Sequence, residues 1–334
     1  MLRILFLLSS LLFFNETGWS QPIKYKPRHQ YQQKLEPGNH ILIGAGQSGF
    51  DSFNAFVQAC DSSIFPEIIM DYDNLDNWKK EKLENKIGRW KQYPWIMIPQ
   101  IGLAMTYDGN PEKHYEQRVA EGRYDSSIQL YANTLATYPG QIMLRLGYEF
   151  NGHWNGYEPE NFVKAYRRVA SILKEKLGKR LALVWCMALD GDKHDFMSYF
   201  PGDDVVDWWS VDVFGEKHFV HPILKPFLDS AHAHRRPVLI GECTPRRVSV
   251  QLGKESIERW FRPFFELLAE NPGIKGISYI YWDWSKTRWT DWGDGRFGEN
   301  AEVKKFVLEE LKKPIFRKVK KKEAVIAIPF PPED

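Results

Sequence analysis

Two glutamates, each closing a short apolar run, are the residues whose chemistry stands out. The first is Glu149 in "LRLGYEFNGHWNGY"; the second is Glu242 in "RPVLIGECTPRR". Alternation along the first run puts Arg145, Gly147 and Glu149 on one strand face and Leu144, Leu146 and Tyr148 on the other. With the first set inward, Gly147 leaves a gap through which Arg145 reaches toward the carboxylate. A plain structural Glu–Arg ion pair is the alternative. Along the second run Glu242 falls in phase with Val238 and Ile240. Two carboxyl groups held roughly 5–5.5 Å apart suit glycosidic hydrolysis with retention, one as acid then base and the other as nucleophile.

Eight apolar runs could position such a pair. They are "HILIGAGQ", "PEIIMDYD", "WIMIPQIG", "QIMLRLGYE", "LALVWCMA", "VDWWSVDVFG", "PVLIGECT" and "IKGISYIYWDW". Continuous Val/Ile/Leu runs between helical patterns predict parallel strands buried on both faces. The fold class expected is α/β, as a single (β/α)8 TIM barrel over residues 39–313. Its helices include "PENFVKAYRRVASILKEKL", begun by Pro159 and striped by Phe162, Ala165, Tyr166, Val169, Ile172 and Leu173, and the closing "GENAEVKKFVLEELKK". The runs end in Gln47, Asp71, Gln100, Glu149, Trp185, Asp212, Glu242 and Trp282, which a barrel gathers on one rim. Strands four and seven lie across that mouth from each other, so the two glutamates can meet there.

Gly44, Gly46 and Gly49 spell G-x-G-x-x-G, with Asp71 about twenty residues on. A dinucleotide site needs bare N–H groups at the helix start. Here Asp51 and Ser52 follow Gly49 as the expected N-cap of "FNAFVQAC", and that carboxylate would repel a diphosphate. The glycines are expected instead to bring Gln47 to the rim, and no cofactor is expected.

The rest of the chain narrows the partners. Its 334 residues carry a net charge of +2, which gives no reason for a nucleic-acid or membrane partner. Residues 1–20 have one early Arg, an apolar run and small residues at 18 and 20, the pattern of a signal peptide cleaved after Ser20. Residues 21–38 are expected to form a linker and 314–334 a C-terminal extension, giving a secreted or periplasmic protein. Cys60, Cys186 and Cys243 match no zinc spacing and are expected to be free buried thiols. His232 and His234 are expected at the surface, and no metal is implied.

At this point the chain resembles glycoside hydrolase family 26, the β-mannanases and related β-glycanases of the (β/α)8 retaining clan. The resemblance rests on "LRLGYEFNGHWNGY" with its following helix "FVKAYRRV", then "YFPGDDVVDWWSVDVFG", "RPVLIGE" and "YIYWDW", and spans about residues 40–312. It implies Glu149 as general acid/base, Glu242 as nucleophile, and sugar-binding roles for Asn151, Trp154 and Trp282. Two departures stand out: Tyr148 replaces the family's usual His, and Phe214 replaces a Tyr that in the clan hydrogen-bonds the nucleophile. Asp212, or a Tyr from another loop, is then expected to act there. The polar loop "SKTRWTDWGDGRF" offers Trp289 and Trp292 as a subsite wall.

The substrate-binding set expected is therefore Gln47, Asp71, Gln100, Arg145, Tyr148, Asn151, Trp154, Trp185, Asp212, Phe214, Trp282, Trp289 and Trp292. The activity implied is hydrolysis of β-glycosidic bonds in β-mannan or a related β-glycan. An exported glycan-binding barrel without turnover is the alternative, and a dinucleotide-dependent oxidoreductase a distant one.

Overall fold

The computed structural model describes residues 21–47, 49–107 and 109–317; the expected signal peptide and residues 318–334 of the expected extension lie outside the described residues. The eight runs become β1 (Leu42–Gly46), β2 (Ile68–Asn74), β3 (Ile98–Ala104), β4 (Ile142–Leu146), β5 (Leu181–Ala188), β6 (Trp208–Val213), β7 (Val238–Cys243) and β8 (Ile274–Ile280). They pair in parallel in sequence order, and β8 closes on β1. The chain is a closed (β/α)8 barrel, which excludes the doubly wound sheet of a dinucleotide fold.

Helices α1 (Gly49–Ala59), α2 (Lys80–Gln92), α3 (Glu116–Ala120), α4 (Asp125–Leu135), α5 (Pro159–Leu177), α6 (Leu224–Ala233), α7 (Lys254–Ser256), α8 (Arg262–Glu270) and α9 (Ala301–Leu311) cover the outside. Pro159 opens α5, and the expected stripe is buried apart from Ile172, which is half-buried. Asn300 caps α9 by accepting from the Glu302 and Val303 N–H groups. Helix α1 starts at Gly49, so Asp51 and Ser52 lie inside its first turn rather than ahead of it. Asp51 still favours the positive helix end.

Among the described residues, one 3-10 turn, Phe196–Tyr199, stands between β5 and β6 where an α-helix was expected. Aromatic packing covers the strands there instead. Trp185 stacks on Phe150 at 4.5 Å and meets Trp209 edge-on at 4.7 Å, while Phe196 meets Phe227 at 5.4 Å.

Inside the barrel the side chains change character with height. The floor is apolar: Leu42, Ile68, Ile98, Met143, Ala182, Val184, Trp208 and Leu239 fill it, each contributing up to about 1.5–3 kcal/mol by leaving water. Above it lie buried Gln100, Arg145, Ser210, Asp212 and Ser278, and then the mouth.

Residues 21–38 do not form a linker. They are a strap packed beneath the floor. Buried Arg28 donates to the carbonyls of Leu268, Ala269 and Asn271, Lys275 donates to the His29 carbonyl, and the Trp208 indole donates to the Lys34 carbonyl. Single anchors in polar sequence, such as Ile23 and Tyr31, leave no periodic signal. Phe316 continues the strap's work from the other end, bridging in parallel to Ile41.

Candidate active site

Arg145, the inward residue of β4, is wholly buried beneath the mouth. Its guanidinium donates to Glu242 Oε1 at 2.8 Å, to Asp212 Oδ2 at 2.6 Å and to the Cys186 sulfur at 3.0 Å. It therefore pairs with the strand-seven carboxylate rather than Glu149, and, being sealed, is a positioning residue rather than a substrate contact. Asp212, equally sealed, is likewise removed from direct sugar contact. Burial pushes its carboxyl up to about 8, with Arg145 only partly opposing the rise and the Glu242 charge adding to it.

Glu242 reaches this cluster by an irregularity. Val238 and Ile240 face the outer helices while Leu239 faces the floor, so regular alternation would turn Glu242 outward, with its supposed phase-mates. A register shift between Ile240 and Cys243 re-aims it into the barrel, where it is 7% exposed. Gly241 makes the shift possible. A Cβ there would sit 2.4 Å from Ser210 Oγ and 2.7 Å from Asp212 Oδ1.

Glu149 lies beyond the end of β4 with a left-handed φ of 52°, a strained conformation for a residue of its type. Gly147 before it also has positive φ, and a Cβ there would meet Phe162 at 2.5 Å. The carboxylate accepts the Trp154 indole N–H at 2.8 Å. Burial, then the negative charges of Asp212 and Glu242, push Glu149 well above the usual carboxylate range, against Arg145 and the Trp154 bond. Its carboxyl group is thus a weaker acid than an ordinary one, and it lies close enough to feel both other carboxylates. Trp154, expected as a stacking platform, is its hydrogen-bond partner.

One residue of slip moves the β2 contribution. Asp71 faces outward and pairs with Lys86 of α2 at 2.9 Å, so it leaves the substrate-binding set. Its neighbour Tyr72 faces the mouth. The Tyr72 hydroxyl donates to Gln47 Oε1 at 3.2 Å and is raised well above its ordinary value by burial and the nearby Glu242 charge. Tyr148 also faces inward, against alternation, because its strand has ended. Its ring lies 5.6 Å from Tyr72 and 5.3 Å from the Arg145 guanidinium. Gly102 leaves room for both rings.

Three further expectations are corrected. Gln100 is sealed in the interior, donating to the Gly241 carbonyl at 2.9 Å and accepting from Ser278. Asn151 spends both ends of its amide on the Ala188 backbone, each at 2.9 Å. Trp185 sits in mid-strand on the outer face, wholly buried. None of the three can touch a sugar.

The β8 side of the mouth is aromatic. Phe214, Trp282, Trp284 and Trp292 cluster there with Met70 and Ile280, and Trp289 is 41% exposed at the edge. Trp292 lies 5.3 Å from Phe214 and 4.8 Å from Trp284.

Sequence reasoning missed Tyr72, Trp284 and Arg246. Arg246 sits 5.0 Å over Trp292 and is clamped by Asp190 at 2.6 and 3.0 Å. His218 accepts the Phe214 N–H at Nδ1, which leaves Nε2 to donate to Asp190. Burial opposes the Asp190 charge, but His218 and Arg246 together hold it well below the usual range. The only available signal for Tyr72 was its place beside a strand-end acid.

The three thiols are free; Cys186 and Cys243 are buried and Cys60 partly so. Among the described residues, no group of three His, Cys, Asp or Glu side chains could hold a metal, and no helix is long and apolar enough to cross a membrane.

A barrel with acidic side chains from β4 and β7 at its C-terminal rim has the architecture of the (β/α)8 glycoside hydrolases. Comparison with known proteins makes this more specific. No protein-family profile matches the sequence. The chain is 27% identical to the β-1,3-xylanase TXYA of Vibrio sp. and 25% identical to a β-1,3-xylanase of Alcaligenes sp. Each match covers 86% of this chain, and 68% and 67% of those proteins. Among solved structures, it matches GH26C from Muricauda sp. at 14% identity and a TM-score of 0.60, over 86% of this chain and 88% of that one. It matches a GH26 β-mannanase from Bacteroides ovatus at 13% identity and a TM-score of 0.56, over 84% and 90%. The chain has the fold of glycoside hydrolase family 26, in line with the resemblance carried by its sequence.

Proposed function

We propose that the chain is an exported retaining glycoside hydrolase that cleaves β-glycosidic bonds, with β-1,3-xylan the first substrate to test. The supporting observation is the contrast between two carboxyl groups of one site. Burial and the charges of Asp212 and Glu242 push the Glu149 carboxyl well above its ordinary range, whereas Glu242 lies against the Arg145 guanidinium at 2.8 Å. That contrast assigns acid to the first and nucleophile to the second. The substrate is taken from the two relatives named above, which are β-1,3-xylanases. Tyr148 and Phe214, at the reaction centre, depart from the mannanase pattern.

In the first step, Glu149 donates its proton to the leaving glycosidic oxygen while a Glu242 oxygen attacks the anomeric carbon, forming a glycosyl ester and releasing the aglycone alcohol. In the second, Glu149, now a carboxylate, takes a proton from water whose oxygen attacks the same carbon, freeing Glu242. Trp154 orients Glu149 throughout. Tyr72 takes the hydroxyl position that Phe214 cannot fill.

Glu149→Ala and Glu242→Ala are to be assayed for reducing-end release on β-1,3-xylan, β-mannan and mixed-linkage glucan. Both variants should lose nearly all turnover while still binding glycan. Wild-type rates in either one refute the assignment, and binding without turnover by the parent protein would make it a glycan-binding barrel. Export follows from the leader pattern, and a mature N-terminus at Gln21 would establish it.

A further inference from the structure

We propose that the glycan site extends into a subsite for an anionic substituent, a carboxylate or a sulfate ester, held by Lys79 and Lys82. This rests on the hydrolase reading above and names a substrate class for it.

A cleft of about 460 Å3 opens on the same rim, between the ends of β2 and β3 and the start of α2. Its inner wall is Tyr72 and Tyr148, the rings that also face Glu242 and Arg145. It therefore borders the reaction centre across these two rings, and its volume suits a sugar-sized ligand. Its outer wall is Trp78 with Lys79, Lys82 and Lys86.

The three lysines are spaced i, i+3 and i+7, so they share one face of α2 and its lead-in. Lys86 is neutralised by Asp71 at 2.9 Å and Asp73 at 3.0 Å. Asp73 is further occupied by the Tyr131 hydroxyl at 2.7 Å. On the neighbouring face, Lys80 has Glu84 at 3.6 Å. Lys79 and Lys82, which do line the cleft, have no carboxylate within ion-pair distance among the described residues. Two unmatched ammonium groups one turn apart repel each other, and a bound anion relieves that repulsion.

The chain as a whole is only +2, so this local excess is not the overflow of a basic protein. Trp78 supplies the second element. Its indole N–H is held by Ser127 at 2.9 Å and its ring meets Tyr131 edge-on at 4.8 Å. A fixed aromatic face flanked by two free cations fits a sugar ring that carries a negative group. A neutral glycan would have no use for the cations.

The test pairs a uronate-bearing β-xylan oligosaccharide with its carboxyl-reduced counterpart, and a sulfated oligosaccharide with its desulfated one. Wild-type kcat/KM should favour the charged member of at least one pair by about tenfold, mostly through KM, and the preference should shrink as salt rises. The pair that shows it identifies the anion. In Lys79→Gln/Lys82→Gln the ratio should fall to about one. No preference in the wild-type protein, or a preference that survives the double substitution, overturns the proposal. If no glycan is turned over, the hydrolase reading fails, and calorimetric binding of the same pairs decides the subsite separately. Charge-selective binding lost in the double variant supports it, and its absence overturns it.

Discussion

Replacing Arg145 by Gln removes one sealed positive charge from beneath three carboxyl groups. The guanidinium contacts Glu242 at 2.8 Å and Asp212 at 2.6 Å and lowers the Glu149 pKa from further off. Two unit charges about 4 Å apart interact by about 4 kcal/mol at an effective dielectric near 20. Breaking a buried pair costs about 3–5 kcal/mol. At about 2.1 cal/mol/K of unfolding entropy per residue, each kcal/mol moves the melting point of a 334-residue chain by about 1.5 °C, so a loss of about 4–8 °C is expected near neutral pH.

The pH dependence has a definite sign. Glu149 and Asp212 have folded-state pKa values raised above their unfolded ones, so their contribution to stability is full at low pH and lost as pH rises through the folded values. Arg145 draws both down, and without it the ionised forms are buried with no counter-charge. The melting-point deficit of Arg145→Gln against wild type should therefore be small near pH 4 and grow steadily toward pH 9 (approximate limits for calorimetry). Glu149 should also keep its proton to higher pH, so the alkaline limb of kcat/KM moves up even as the rate falls. Arg145→Lys, which keeps the charge, should show a flatter deficit. A deficit that is constant with pH, or larger in acid, would refute the role given to Arg145. A variant too unstable to fold at neutral pH should still fold in acid.

Tyr72→Phe should lower kcat/KM by about tenfold or more, the value of one hydroxyl hydrogen bond beside the Glu242 side chain, with little change in melting temperature. Trp154→Phe removes a bond that favours the Glu149 carboxylate, so the alkaline limb of the rate profile should move up and kcat fall by about tenfold. Gly241→Ala puts a methyl 2.4 Å from Ser210 Oγ and 2.9 Å from Arg145 Nε. It should cost about 1–3 kcal/mol in denaturant unfolding and most of the activity.

The barrel was legible because its strands are buried on both faces and so read as unbroken apolar runs, which need no phase to be recognised. Facing direction is another matter. Asp71 and Tyr72 differ by one position, and that single step separates an outer ion pair with Lys86 from a hydroxyl at the mouth. Trp185 was placed on the rim as the last aromatic residue of its run, although that run, like β5, continues three residues further to Ala188. Asn151 and Gln100 are polar, as sugar ligands would be, but Gln100 lies within β3 rather than at its end. Only coordinates show that backbone carbonyls and N–H groups already occupy them. The strap at 21–38 was invisible for a different reason, since isolated anchors leave no period to detect.

The two glutamates share a feature that bears on why the site could be found at all. Neither is placed by regular strand geometry: Glu149 depends on left-handed backbone at 147 and 149, and Glu242 on the register shift after Ile240. Such irregularities cost of order 1–3 kcal/mol each and persist only where the surroundings over-determine them. Here Gly147 admits Phe162, Gly241 admits Ser210 and Asp212, and Arg145 ties β4 to β6 and β7. The types and chain positions of the carboxylates survive any error in phase, because a barrel brings all strand ends to one rim. Their directions do not survive it, because the bends that aim them break the alternation from which direction is read. A site built this way is recognisable by composition at the strand ends while its inner contacts, such as Arg145 with Glu242 rather than Glu149, are fixed by the departures from regularity.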